Sequence, residues 1–138
     1  MMINMIYVDA TNLVLGRMAS SVAKLLLRGE SVYVVNAEKA VILGNPKATK
    51  VSFREKRDRG DPYHGPFYPK RPDMIVRRVV RGMMPYTTAR GKEAFKRLRV
   101  FISIPDELKD KQFMELRGTA NRGECKSLTV EKMAGWSS

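Results

Sequence analysis

Cysteine, histidine and tryptophan occur once each in the 138 residues. Cys125 alone can form no internal disulfide, which suits a reducing compartment. Cys125 and His64 together make no zinc ligand set and no Cys–His pair of familiar spacing. No stretch approaches 18 consecutive apolar residues, so no transmembrane helix is expected. Met1 to Ala10 has neither a basic n-region nor a small-residue cleavage site, so no secretory leader is expected. Glycine is equally sparse where nucleotide chemistry needs it. The turn from Asp9 to Arg17 holds one glycine instead of a dinucleotide fingerprint's three, and there is no Walker Gly-Lys-Ser/Thr. Leu13, Val14 and Leu15 would obstruct a pyrophosphate there. Asp9, Glu38, Asp73 and Glu93 are dispersed, with no carboxylates paired as acid and base. No catalytic residue, metal ligand, cofactor or small-molecule substrate is therefore assigned.

Acidic residues are few as well: 14 against 26 Lys and Arg, for a net charge of +12. The imbalance is local. Arg54 to Arg99 holds 14 basic and 5 acidic residues, a net of +9, whereas residues 100–138 hold 6 of each. Confining like charge costs self-repulsion, and a polyanion offsets it. With 43% hydrophobic residues and a pI near 10.1, the chain reads as a single folded domain with a basic face or arm, not a disordered tail. Anionic lipid also attracts Lys and Arg, so membrane-surface binding stays open on charge alone, although nucleic acid and no membrane is the expected partner.

Periodicity divides the chain into alternating elements. Ile3 to Val8, Val32 to Val35, Ala40 to Leu43 and Val100 to Ile102 read as strands. Leu15, Met18, Ala19, Val22 and Leu26 fall at helical spacing, and Gly29 marks the stop. Asn45-Pro46 reads as an N-cap and first helical residue. A third helix follows Pro72, with Ile75, Val76, Val79 and Val80 on one side, and a fourth runs from about Ala89 to Arg97. Lys109 to Leu116 looks helical, and Leu128 to Trp136 reads as a closing helix. Strands alternating with helices predict an α/β fold with a parallel sheet and helices on both faces.

Gly60, Pro62, Gly65, Pro66, Pro69 and Pro72 exclude regular structure over about 58–72, and this segment reads as an extended basic arm. Tyr63, His64, Phe67 and Tyr68 in it offer stacking surfaces for unpaired bases. Lys47, Lys50, Arg54 and Arg57 stripe the helix before the arm, and Lys56 on the same helix joins the expected RNA contacts; Arg59, Lys70 and Arg71 flank the aromatics. Arg77, Arg78 and Arg81 lie opposite the apolar side of the next helix, with Arg90, Lys92, Lys96 and Arg97 exposed on the fourth. Arginine predominates, and its planar fork suits phosphate. Met74, Met83 and Met84 read as packing residues, and Glu38 as a partner for Lys39 or Arg17.

The chain resembles the universal family of large-subunit ribosomal protein number thirteen, in its archaeal and eukaryotic-type branch. Val8-Asp9-Ala10, Leu15-Gly16-Arg17-Met18-Ala19-Ser20 and Val35-Asn36-Ala37-Glu38-Lys39 carry the likeness. Gly44-Asn45-Pro46-Lys47, Val80-Arg81-Gly82-Met83-Met84-Pro85, Ala89-Arg90-Gly91-Lys92 and Phe95-Lys96-Arg97-Leu98-Arg99-Val100 continue it in order. Residues 104–138 match no pattern, so no contacts are carried over there. The resemblance implies a three-layer α/β/α sandwich around a mostly parallel four-stranded sheet. It also implies a non-enzymatic, cytoplasmic constituent of the large subunit that binds ribosomal RNA and helps assembly, beside neighbouring ribosomal proteins and not as a homo-oligomer. Two other readings stay open from sequence: a nucleotide-binding α/β enzyme and a free RNA-binding translational regulator.

Overall fold

The computed structural model describes residues 5–58, 71–114, 116, 118–121, 123 and 126–134. Strand β1 (Met5–Asp9) leads into helix α1 (Leu15–Leu27) and strand β2 (Ser31–Val35). The helix ends as the glycine predicts. Gly29, at φ +99°, donates to the Leu26 carbonyl and Glu30 to that of Leu25, the paired bonds of a Schellman stop. After β3 (Val41–Leu43) come α2 (Pro46–Asp58), α3 (Pro72–Gly82), α4 (Ala89–Lys96), β4 (Leu98–Val100), β5 (Ser127–Thr129) and α5 (Val130–Ala134). Asn45 caps α2 by accepting from the Lys47 and Ala48 amides at 3.0 and 3.4 Å.

The parallel sheet has the order β1-β2-β4, with Val8 beside Val34 and Val34 beside Val100. It holds three strands among the described residues, where the resemblance implies four. The third apolar run does not join it. Only residues 36–40 separate β2 from β3, and a parallel return needs a crossover of a dozen residues or more. β3 instead pairs antiparallel with β5, Ile42 opposite Leu128. That pairing also takes Leu128 and Thr129 out of the expected closing helix. At the other edge, Phe113 bridges to Tyr7 in parallel, and Met114 donates to the Tyr7 carbonyl at 2.7 Å. The helix expected from Lys109 is absent over residues 109–114; one turn of 3-10 helix at Asp106–Leu108 precedes them.

Helices do not cover both faces among the described residues. α1, α3 and α4 share one face, packing on Val8, Val32, Val34, Leu98 and Val100. Alternation sends Tyr7, Tyr33 and Arg99 to the other face, where Tyr7 and Tyr33 are half-buried and Arg99 is exposed. The strand expected at Val100 to Ile102 lies two residues earlier for the same reason: Leu98 and Val100 reach the core, and Phe101 turns away while donating to the Val34 carbonyl. Met18, Val22, Leu26, Val76 and Val80, fully buried, close the core above the sheet.

The carboxyl ends of β1 and β2 carry a tight polar knot. Asn36 and Ser103, non-glycine residues at φ 55° and 60°, turn the chain there. Buried Glu38 accepts from the Ser103 amide at 3.0 Å, not from Lys39 or Arg17. Asp9 Oδ1 accepts from Asn36 Nδ2 at 3.0 Å and from the Thr11 amide and hydroxyl at 3.0 and 2.7 Å. Burial raises the Asp9 pKa, but these hydrogen bonds together with Lys39 outweigh it and hold the carboxyl below its ordinary value. A depressed folded-state value stabilises the fold above the unfolded value, about 3.9, and that contribution is lost as pH falls through the lower folded one. Asp9→Asn is expected to cost about 1–3 kcal/mol at neutral pH. In thermal melts the gap from the parent should narrow as pH drops below about 4; a constant gap would place the effect elsewhere.

Candidate nucleic-acid interface

Helix α2 is a basic rod with one anchor. Phe53 is buried, whereas Lys47, Lys50, Arg54 and Lys56 are exposed, as is Val51 at 54%. The spacing of Lys47, Lys50 and Arg54 sets them in one stripe. Arg57 lies on the same helix. Arg59, Tyr63, His64, Phe67, Tyr68 and Lys70, and with them most of the expected arm, lie outside the described residues.

The third and fourth helices arrange their cations differently from the sequence expectation. Arg71 is exposed and pairs with Asp73 at 3.4 Å. Arg77 and Arg78 are half-buried, although helical periodicity alone sets them opposite the core. The Arg77 guanidinium lies 4.9 Å from the Phe95 ring centre and its Nη1 donates to the Leu98 carbonyl at 3.5 Å. Exposed Arg81 lies 4.7 Å from the Tyr86 ring, and Tyr86 meets Phe95 edge-on at 5.5 Å. Arg81, Tyr86, Phe95 and Arg77 thus form a row between α3 and α4, two rings in edge contact with a cation at each end. Its inner end belongs to the fold, and Arg81 faces solvent. Of Met74, Met83 and Met84, the last is buried and the first two are exposed.

Gly91 sets the spacing of this row. Thr88 caps α4 by accepting from the Gly91 amide at 3.1 Å, and a Cβ at Gly91 would fall on the Pro85 carbonyl. The glycine therefore lets α4 sit directly on the turn that follows α3.

Lys92 and Lys96 are exposed on α4, but its two arginines reach back to α1. Arg97 Nη2 donates to the Leu26 carbonyl at 2.7 Å, and Arg90 Nη2 to that of Leu27 at 3.4 Å. Cations there add hydrogen bonds to the last carbonyls of α1 and complement the negative end of the helix dipole. Arg97, half-buried, is thus a capping residue for a distant helix. Arg97→Ala is expected to lower stability by about 1–3 kcal/mol while leaving the salt slope of a polyanion titration unchanged. A shallower salt slope without a change in melting would reverse that assignment. Arg99, outside the sequence-derived set, is an exposed cation on the opposite sheet face; strand alternation beside Leu98 and Val100 was the signal for it.

Among the described residues, the nucleotide alternative finds no matching crevice at the strand ends. At the carboxyl ends of the strands Asp9 and Glu38 are engaged by Asn36, Thr11 and Ser103, and Val14 and Leu15 are buried in the turn. No helix among the described residues is long and apolar enough to cross a membrane.

Comparison with known proteins gives one answer. The family described as Ribosomal protein L13 matches residues 3–107. A protein of Methanosarcina barkeri named Large ribosomal subunit protein uL13 is 54% identical over 107 residues, covering 77% of this chain and 76% of its own. A protein of the same name from Methanopyrus kandleri is 58% identical over 98 residues, 71% of this chain and 62% of its own. The one from Methanosphaera stadtmanae is 42% identical over 135 residues, 93% and 95% of the two chains.

Proposed function

The chain belongs to the ribosomal protein L13 family, and from that premise we propose that it is a structural constituent of the large ribosomal subunit that clamps folded ribosomal RNA during and after assembly. It works in the cytoplasm, as one copy per particle, beside neighbouring ribosomal proteins. One observation carries the contact surface: an exposed cationic stripe on a helix that sends a single large side chain into the core. Such a helix gains little from its own domain, and its charges are offset where RNA strands bring phosphates close together. Arg81, at the solvent end of the row with Tyr86, and Lys92 and Lys96 extend the surface. Residues 58–72 continue it as a basic, aromatic arm along a crevice between RNA helices, with Tyr63, His64, Phe67 and Tyr68 stacking on unpaired bases.

Titration of the protein with a large-subunit RNA fragment at several salt concentrations tests this reading. Each phosphate neutralised contributes about 0.7–0.9 to the slope of log affinity against log salt, so Lys47, Lys50, Arg54, Lys56, Arg81, Lys92 and Lys96 acting together give roughly 5–6. A flat response rules the mechanism out.

A further inference from the structure

Helix α1 carries a second line of cations, outside the sequence-derived set. Arg17, Ser21, Lys24 and Arg28 recur at intervals of three and four, which sets them on one stripe of α1 and its C-terminal cap. The stripe lies opposite Val22 and Leu26, which are fully buried. Arg17, Lys24 and Arg28 are exposed, and none has an ion pair or a side-chain hydrogen bond among the described residues. No acidic residue occurs from Thr11 to Gly29, and Glu30, next in the chain, is half-buried with Oε2 shielded from water. We propose that this stripe is a second ribosomal-RNA contact, in which Arg17, Lys24 and Arg28 meet phosphates of one RNA segment and the serines beside them donate to its backbone oxygens. The inference rests on the proposed place of the chain in the large subunit and adds a surface on α1 to the one on α2.

The physical case begins with the helix dipole. Cations stabilise the last turn of a helix, yet α4 already supplies two there, Arg97 on the Leu26 carbonyl and Arg90 on that of Leu27. Lys24 and Arg28 bring that end to four positive charges, more than the partial charge of a helix terminus offsets. They also stand four residues apart, where like charges repel. Arg17 lies in the first turn, at the positive end of the dipole, where a cation is unfavourable. The fold gains nothing from such an arrangement, and a polyanion laid along α1 offsets it. At 1.5 Å per residue the three cations span about 16 Å, a length over which a nucleic-acid strand presents several phosphates.

Other partners suit the stripe less well. Protein interfaces centre on desolvated aromatic and aliphatic anchors, and none of the large hydrophobic residues exposed on the described surface lies on α1. A helix lying in a bilayer interface buries its apolar face in lipid, and that of α1 is committed to the core. A second copy of this chain carries the same +12 and would be repelled. Beside its cations the stripe shows small groups, Gly16, Ser20 and Ser21, which sugar-phosphate can approach closely and from which it takes hydroxyl hydrogen bonds.

Titration with the large-subunit RNA fragment at several salt concentrations tests this. One variant combines Arg17→Gln with Lys24→Gln. A control combines Lys109→Gln with Lys111→Gln, exposed cations in a segment, 106–111, that holds three acids to two bases. The control removes the same charge from a place with no cationic excess for phosphate to meet. Both variants should melt close to the parent. The α1 variant should give a slope of log affinity against log salt shallower than the parent's by about 1.4–1.8, and the control a slope close to the parent's. The α1 contact is overturned if its variant shifts the slope no more than the control does. It is overturned too if that variant melts well below the control, which would make the two cations structural. In either case a steep salt dependence of the parent leaves the reading of the chain as an RNA clamp standing. A flat response from the parent would overturn both.

Discussion

Gly91→Ala is expected to lower the melting temperature by on the order of 10 °C, reversing the sign that helix propensity assigns to it. In an exposed helix, replacing glycine by alanine stabilises by roughly 1 kcal/mol, because the unfolded chain loses freedom and the helix gains a better former. Position 91 lies in the first turn of α4, where the new methyl group would meet the Pro85 carbonyl and the Tyr86 amide. Both belong to backbone, so no rotamer change relieves the overlap; α4 must lift off the turn. Lifting it parts Thr88 from the Gly91 amide and opens the Tyr86–Phe95 contact. Overlap of this kind is among the few mechanisms that cost more than about 3 kcal/mol, and in a domain of this size each kcal/mol moves the midpoint by roughly 3–5 °C. Gly82→Ala is the control. It closes α3 with nothing within 4 Å of its added methyl group, so it should be neutral or stabilising by up to about 1 kcal/mol. If the two variants melt alike, α4 does not rest on the Pro85 turn.

The same glycine shows where sequence reading stops. Gly91 stands out in the Ala89-Arg90-Gly91-Lys92 block, yet nothing in its neighbours identifies the carbonyl it approaches. Local signals carry well in this chain. Gly29 ends α1, Asn45-Pro46 opens α2 and Pro72 opens α3, because each acts on backbone groups within a turn of itself. Pairing between distant segments is carried less well. The β3 run is as apolar as β2, and only the short 36–40 connection argues that the two cannot be parallel neighbours. Over residues 109–114 the helical look from Lys109 yields to an edge contact with Tyr7, a tertiary interaction that propensity does not record. Both faces of the sheet were expected to be helix-covered from the apolar strands, whereas Tyr7, Tyr33 and Arg99 already follow the alternation of a sheet with two different sides.

Charge was legible as a total and less so as a set of roles. A helical wheel puts Arg77, Arg90 and Arg97 with the outward cations. The structure turns their guanidinium groups onto Phe95 and onto carbonyls of Leu98, Leu27 and Leu26, the last 71 residues from its donor. Arginine stacks on a ring as readily as it binds phosphate, so its presence in a basic segment does not say which it does. Lysine is more telling here: Lys47, Lys50, Lys56, Lys92 and Lys96 are all exposed. That Asp9 and Glu38 pin the strand ends needed the positive-φ turns at Asn36 and Ser103.

Substituting Gln for Lys47, Lys50 and Arg54 together is expected to have the largest effect on RNA binding of any change that spares the fold. The three side chains are exposed, and α2 is held through buried Phe53 and through its Asn45 cap, which accepts from backbone amides that the substitutions leave in place, so thermal melting should stay close to the parent. If each engages one phosphate, the salt slope becomes shallower by about 2–3. The same slopes give the loss of affinity: three contacts are worth roughly 50–200-fold at about 0.15 M salt and far less near 1 M, where little entropy is gained on releasing counterions. The two titration lines should therefore converge as salt rises. That convergence separates electrostatic docking from a conformational effect, because a misfolded α2 would lose affinity by a similar factor at every salt concentration. Displaced parallel lines would mark such a conformational effect, and a variant that binds like the parent at low salt would move the RNA contact away from α2 and onto the surface around Arg81, Lys92 and Lys96.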